Sequence, residues 1–147
     1  MERPIVLRGY LFVPVICVAA CSTEPNPQDI PGTYTAGFDP PQLASATVTC
    51  DRLIPHAVLS MAQAGQFDLT INLVDDCSRA GGGSTPSQVH LVGFYAPQGA
   101  QLYFTPETST APLFTGTMEG SFVRLNLPPV VGIAIIDVNL RVGPRQR

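Results

Sequence analysis

With 147 residues and a formal charge of −3, the chain is long enough for one ordinary domain and is mildly acidic. It contains no lysine, so Schiff-base chemistry, a phosphate-loop lysine and a Ser-x-x-Lys nucleophile are all excluded. No basic cluster offsets the acids, which argues against nucleic acid or an anionic membrane surface as a partner.

The chain opens with Arg3 and Arg8, followed by the uncharged run Tyr10 to Ala20 (YLFVPVICVAA). Eleven residues are about half of the ~20 that a bilayer-spanning helix needs, and Pro14 interrupts them. A basic start, a short apolar middle and small residues at a cut site mark residues 1–20 as a signal peptide. The closing Val18-Ala19-Ala20-Cys21 resembles the bacterial lipobox. That resemblance implies cleavage before Cys21, diacylglycerol on its thiol and a further acyl chain on the new amine. Two or more chains hold a protein stably on a bilayer. Ser22 is similar to the residue that sends such lipoproteins to the outer membrane in double-membraned bacteria. A plain secreted protein and a membrane-retained helix are the alternatives.

With residues 1–20 removed, six Arg stand against ten Asp and Glu, a formal charge of −4. Cys17 leaves with the signal and Cys21 takes the lipid, so Cys50 and Cys77 remain as a pair in an oxidising compartment. A disulfide between them is expected; free thiols or a metal site are the alternatives, the latter poorly supplied with ligands. Residues 21–31 contain STEPNPQDIP, rich in proline and poor in large apolar side chains, and read as a flexible tether of at most ~35 Å.

From Gly32 onward short apolar runs alternate with Gly and Pro, without a helical period. Tyr34, Ala36 and Phe38 share one side of a first strand ended by Asp39-Pro40-Pro41, and Ala44 to Cys50 forms a second. Ala57 to Met61 and Phe67 to Val74 make the clearest hairpin, with Phe67, Leu69, Ile71 and Leu73 facing one way. If Met61 pairs with Gln66, an unbroken ladder brings Cys50 opposite Cys77; Pro55 interrupts it, so proximity rather than direct pairing is expected. Ser78 to Ser87 (SRAGGGSTPS) is a loop without the Gly-Lys-Ser/Thr or the following helix that a phosphate cradle needs. Strands then follow at Gln88 to Tyr95, Ala100 to Thr105, Leu113 to Glu119 and Ser121 to Leu127, with a polar bend at Pro106 to Pro112. Gly132 to Val142 reads as the last and longest, with Ala134, Ile136, Val138, Leu140 and Val142 inward. Residues 144–147 read as a frayed end.

The fold class is therefore all-β: an antiparallel meander of about eight strands over residues 32–143, curled into a small closed barrel or, alternatively, a two-sheet sandwich. The lipobox, the Pro-rich tether, the opening Gly32-Thr-Tyr-Thr, the Gly65-Gln-Phe67-Asp-Leu69 hairpin and Phe114-Thr-Gly116 together resemble the small lipocalin-like lipoproteins of bacteria. Tyr34 stands where lipocalins carry Trp. The resemblance implies a barrel whose interior holds a small apolar ligand, with Tyr34, Phe67, Ile71 and Leu125 as candidate lining.

No reaction centre emerges. His56 and His90 fall on different segments, and there is no Gly-x-Ser-x-Gly or His-Glu-x-x-His. Asp75 and Asp76, even with Asp51, fall short of the six to eight oxygens calcium takes, and nothing gathers Glu119 and Asp137 about a cleft. Ile133, Ile135 and Phe122 project opposite the inward row and offer a docking patch, unless Pro128-Pro129 or the tether covers them. The expectation is a non-enzymatic, lipid-anchored envelope protein without cofactor, binding a small apolar ligand or a protein partner. The alternative is an inhibitor or architectural lipoprotein acting through the loops Ser78–Ser87 and Pro106–Pro112.

Overall fold

The computed structural model describes Asn26 and residues 29–147. The expected signal peptide 1–20, Cys21 and most of the expected tether lie outside the described residues.

Nine strands form one antiparallel sheet: β1 (Gly32–Ala46), β2 (Asp51–Met61), β3 (Gln66–Asp76), β4 (Ser84–Gln98), β5 (Gln101–Pro106), β6 (Phe114–Glu119), β7 (Phe122–Leu127), β8 (Val138–Val142) and β9 (Arg145–Gln146). Their order is β8-β7-β6-β5-β4-β3-β2-β1-β9, so every neighbour from β1 to β8 is also a neighbour in sequence. Alternation in the strands produces this directly: Phe67, Leu69, Ile71 and Leu73 are buried while Asp68 between them faces water. The two-layer alternative is not adopted.

The sheet curls into a half-barrel that does not close, which corrects the closed-barrel expectation. Its edge strands β8 and β9 are separated in the chain only by Gly143-Pro144, so the edges meet at one end. There the Gly143 N–H bonds to Thr35 O and β9 pairs with Thr33 and Tyr34. Farther along, β1 bulges where it slips from Gly37 opposite His56 to Gln42 opposite Ile54. Pro40 and Pro41 lie in that bulge and carry no N–H to donate across a seam. β8 is only five residues long and supplies little edge to receive it.

Several boundaries move for identifiable reasons. The two strands expected on either side of Asp39-Pro40-Pro41 are one strand, β1, with the prolines accommodated at its bulge. The hairpin pairs Met61 with Phe67, one residue off the expected register. Between Leu53↔Val74 and His56↔Asn72, Ile54 and Pro55 together oppose Leu73, a bulge that takes up that one-residue offset. Asp51 therefore sits opposite Asp76, and the next positions, Cys50 and Cys77, are joined directly by a disulfide with Cα atoms 4.1 Å apart. The expected loop Ser78–Ser87 is mostly ordered: a 3-10 turn covers Ser78–Ala80 and β4 begins at Ser84. The expected long last strand is five residues, because 132–137 continue as an irregular crossing segment after a 3-10 turn at 129–131 ended by Gly132 at φ 85°. Residues 144–147, expected to fray, supply β9.

The interior is packed with side chains. Phe67 stands edge-on to Phe104 and Phe114 at 5.1 and 5.7 Å, and Phe104 stacks on Phe114 at 4.7 Å. Ile30 is buried at the end where the chain enters, while Val131 and Ile133 are buried at the opposite end.

Candidate functional site

The end of the half-barrel farthest from the entry of the chain is built by three segments. One is the β1–β2 turn, in which Thr47 Oγ1 accepts the Cys50 N–H at 2.9 Å. Another is the start of β4 after the disulfide, and the third is the crossing loop 128–137. Between them lies a groove of about 730 Å³ lined by residues that include Cys50, Cys77, Thr85, Pro129 and Ile135.

Arg52 organises this end. Its Nε and Nη2 donate to the two carboxylate oxygens of Asp75 at 2.7 and 2.8 Å, and its Nη1 donates to Ile133 O at 3.3 Å. A bidentate pair of this kind fixes orientation as well as charge. The guanidinium holds the Asp75 carboxyl below the usual carboxylate range, and Asp75 raises Arg52 above its ordinary value. Arg52 thus ties the crossing loop to the β2–β3 ladder, and the loop carries Ile133 into the core.

The same loop leaves Val130, Ile135 and Ile136 exposed, Ile135 at 86%. Leu43 and Val48 are exposed on the β1–β2 side of this end. Gln42 Nε2 donates to Asn139 O at 2.8 Å, which sets Leu43 beside the start of β8. These five exposed apolar side chains all sit on segments that build or border this end of the sheet, its apolar rim, and Ile135 among them lines the groove. This rearranges the patch expected from sequence. Ile135 is exposed as expected, but Ile133 is 1% exposed and Ile136, expected inward, faces solvent. The cause is that strand parity begins at Val138 rather than Gly132. Phe122 is half-buried, with the Arg141 guanidinium 3.7 Å from its ring centroid. Leu43, Val48 and Val130 carried no signal in the sequence: Leu43 follows the β1 bulge, Val48 lies in the β1–β2 turn and Val130 in a 3-10 turn, none of which the alternation pattern locates.

The four candidate ligand-lining residues are all core. Tyr34, Ile71 and Leu125 are fully buried and Phe67 is 3% exposed. The Tyr34 hydroxyl donates to Ile30 O at 2.6 Å, and burial pushes this phenol up. Phe67 reaches the wall of a groove at the entry end, beside Met61 and Gly93, whereas Tyr34, Ile71 and Leu125 line neither that groove, nor the second one at the entry end, nor the disulfide-end groove.

The remaining candidates are dispersed. His90 Nε2 lies 3.1 Å from Asp68 Oδ1 on the outer face, whereas His56 sits on β2, with β3 between. Asp51 pairs with Arg79, and the Asp76 carboxyl is held low by hydrogen bonds from the Ser78 side chain and backbone. Among the described residues no three His, Cys, Asp or Glu converge in a way that would hold a metal. Glu119 accepts from Arg124 at 2.7 Å and Arg141 at 3.1 Å, Arg124 first in holding its carboxyl low, and Asp137 is elsewhere, at the start of β8. No protein-family model, curated protein or solved structure matches the chain.

Proposed function

We propose that this chain is a lipid-anchored, non-enzymatic protein of the cell envelope whose half-barrel docks a protein partner through its apolar rim. The lipobox-like Val18-Ala19-Ala20-Cys21 supports the anchor, and Ser22 after it supports an outer-membrane location in a double-membraned cell. The observation that carries the docking reading is that the chain enters the domain at one end and the rim lies at the other. Asp29 and Ile30 lead into β1 beside Arg145, whose Nη2 is 3.7 Å from Asp29 Oδ1. Leu43, Val48, Val130, Ile135 and Ile136 lie at the far end. A tether rooted at the entry end holds the domain on the bilayer and presents the rim outward. The alternative occupant, a small apolar ligand inside the sheet, draws less support because Phe67, Ile71 and Leu125 are packed against neighbouring side chains.

Two measurements test this reading. Mass spectrometry of the protein from envelopes is expected to find a mature chain beginning at an acylated Cys21; an uncut amino terminus overturns the anchor. Affinity capture from an envelope extract is expected to recover a defined protein with the native chain and to lose it with Ile135→Arg/Ile136→Arg. Capture unaffected by that pair of charges overturns the rim as the contact. Saturable binding of an apolar fluorescent probe that is abolished by Ile71→Arg would favour the interior ligand instead.

A further inference from the structure

β4 pairs with β3 from Ser84 to Phe94, but β5 joins its other side only from Gly93. Among the described residues no strand pairs with the second edge of β4 from Ser84 to Val92. Two backbone hydrogen bonds fix which groups face that edge. Tyr95 N–H donates to Gly65 O on the β3 side, and Val92 O accepts from Glu107 N–H at 3.0 Å on the other. The β3–β4 register is unbroken, so direction alternates strictly along β4. Pro86, Gln88, His90 and Val92 therefore turn their main-chain groups to the open edge, and Ser87, Val89 and Leu91 turn theirs to β3.

We propose that this edge pairs with the same edge of a second copy of the chain, in an antiparallel ladder centred on Val89. The edge is complementary to itself. In that register His90 lies opposite Gln88 of the second copy and exchanges both N–H···O bonds with it, and the symmetric rung repeats this. Val92 lies opposite Pro86 of the second copy. Its N–H finds the Pro86 carbonyl, while Pro86 has no N–H to give and the Val92 carbonyl is already occupied by Glu107. The one missing donor thus meets the one acceptor already satisfied. Segment 84–92 contains no Asp, Glu or Arg, so no like charges face one another across the twofold axis. Residues 84–88, 90 and 92 are exposed, and Val92 at 37% is brought against the apolar ring of Pro86. An open edge of this kind is a template for strand addition, and pairing with its own copy makes a closed twofold interface. The inference does not depend on the lipid anchor or on the rim.

Cysteine placement reads the register. The two copies of Val89 form a non-hydrogen-bonded pair with Cα atoms ~4.5 Å apart, within disulfide reach. The full chain with Val89→Cys, air-oxidised, is expected to give a reducible dimer at least tenfold above the native chain. Leu91→Cys alone is expected to stay at the native level, and Leu91→Cys mixed with Ser87→Cys to cross-link. Equal cross-linking at all positions, or none at position 89, overturns the ladder. His90→Pro added to Val89→Cys removes an edge-facing N–H without touching the β3 ladder and is expected to abolish the link; a link that survives overturns the hydrogen-bonded pairing. If that proline variant loses its β signal in circular dichroism, the Leu91/Ser87 mixture decides the register by itself.

Discussion

Gln42 donates its side-chain amide to the main-chain carbonyl of Asn139 across the seam where β1 and β8 fail to pair. A side chain here does what a ladder bond does in a closed barrel, at the point where β1 regains its register after the Pro40-Pro41 bulge. The half-barrel is thus fastened at one end by β9 and farther along by this amide. Gln42→Leu is expected to lower stability by only ~0.5–1 kcal/mol, since the bond is exposed. It is also expected to speed amide exchange selectively in β8. Hydrogen exchange followed by mass spectrometry checks this; unchanged protection over Val138–Val142 would mean that the seam is held by packing alone.

The Cys50–Cys77 disulfide extends the β2–β3 ladder by one pair and closes a separation of 27 residues. On the chain-entropy argument it stabilises the fold by ~3–4 kcal/mol. Replacing both cysteines with alanine is expected to lower the urea midpoint accordingly, and adding reductant to the native chain to produce a similar shift. A difference below ~1 kcal/mol would show that the hairpin already restricts the unfolded chain.

How far the sequence led is visible at particular residues. Strand alternation located the core hairpins, because period-two patterning is a local property: Phe67, Ile71, Val123 and Leu125 are all buried as the pattern requires. The disulfide was legible chiefly because Cys50 and Cys77 are the even pair left for an oxidising compartment, and only secondarily from register. The assumed Met61–Gln66 register was off by one, and the bulge of Ile54 and Pro55 against Leu73 restored the alignment at Cys50 and Cys77. Loop 128–137 was not legible. Ala134, Ile136 and Val138 alternate like a strand, yet Ile133 enters the core and Ile136 stays in water. The turn ended by Gly132 and the long-range Arg52–Ile133 contact accompany the observed outcome, and neither can be read from a local period. Open edges are illegible for the same reason, since the missing partner of β4 follows from the shortness of β5.

Among the glycines of the described residues, Gly93 leaves the least room for a side chain. A methyl group there would collide with Thr105 O and come within 2.7 Å of Pro106 Cα and 3.0 Å of Phe67 Cε1. Two of these atoms are backbone and cannot swing away. Gly93→Ala is therefore expected to cost ~3 kcal/mol, at the upper end of overpacking changes, and to splay β5 from β4. Gly37→Ala, where a methyl group meets nothing within 4 Å, is the control and is expected to leave the denaturation midpoint almost unchanged.

Acid should loosen the rim. The folded Asp75 carboxyl is lowered by Arg52, so its stabilising contribution is complete above the unfolded carboxylate value of about 4 and is lost as pH falls through the lowered folded value. Asp75→Asn is expected to cost ~0.5–1 kcal/mol at pH 7, as suits a partly exposed pair, and to make the acid-side decline shallower. The decline should persist in part, because Asp76 and Glu119 are also held low. Urea titrations between pH 7 and pH 3 check this; parallel curves for both proteins would remove Asp75 from the acid response.

Tyr34 joins the core to the entry of the chain. Its hydroxyl donates to the Ile30 carbonyl, and Ile30 is itself 1% exposed. Tyr34→Phe keeps the ring and leaves that carbonyl without its donor, a change expected to cost ~1–3 kcal/mol. Because burial raises the folded phenol, its contribution is complete below the ordinary tyrosine value of about 10 and is lost as pH rises through the raised one. The Phe variant should therefore begin less stable at pH 7 and lose less on the way to pH 11. Some alkaline loss should remain from Tyr95, which is raised by the same cause. Limited proteolysis supplies the structural readout. Cutting just before β1 should accelerate in Tyr34→Phe while the disulfide end stays protected, and uniform acceleration would mean that the hydroxyl supports the whole sheet rather than the entry.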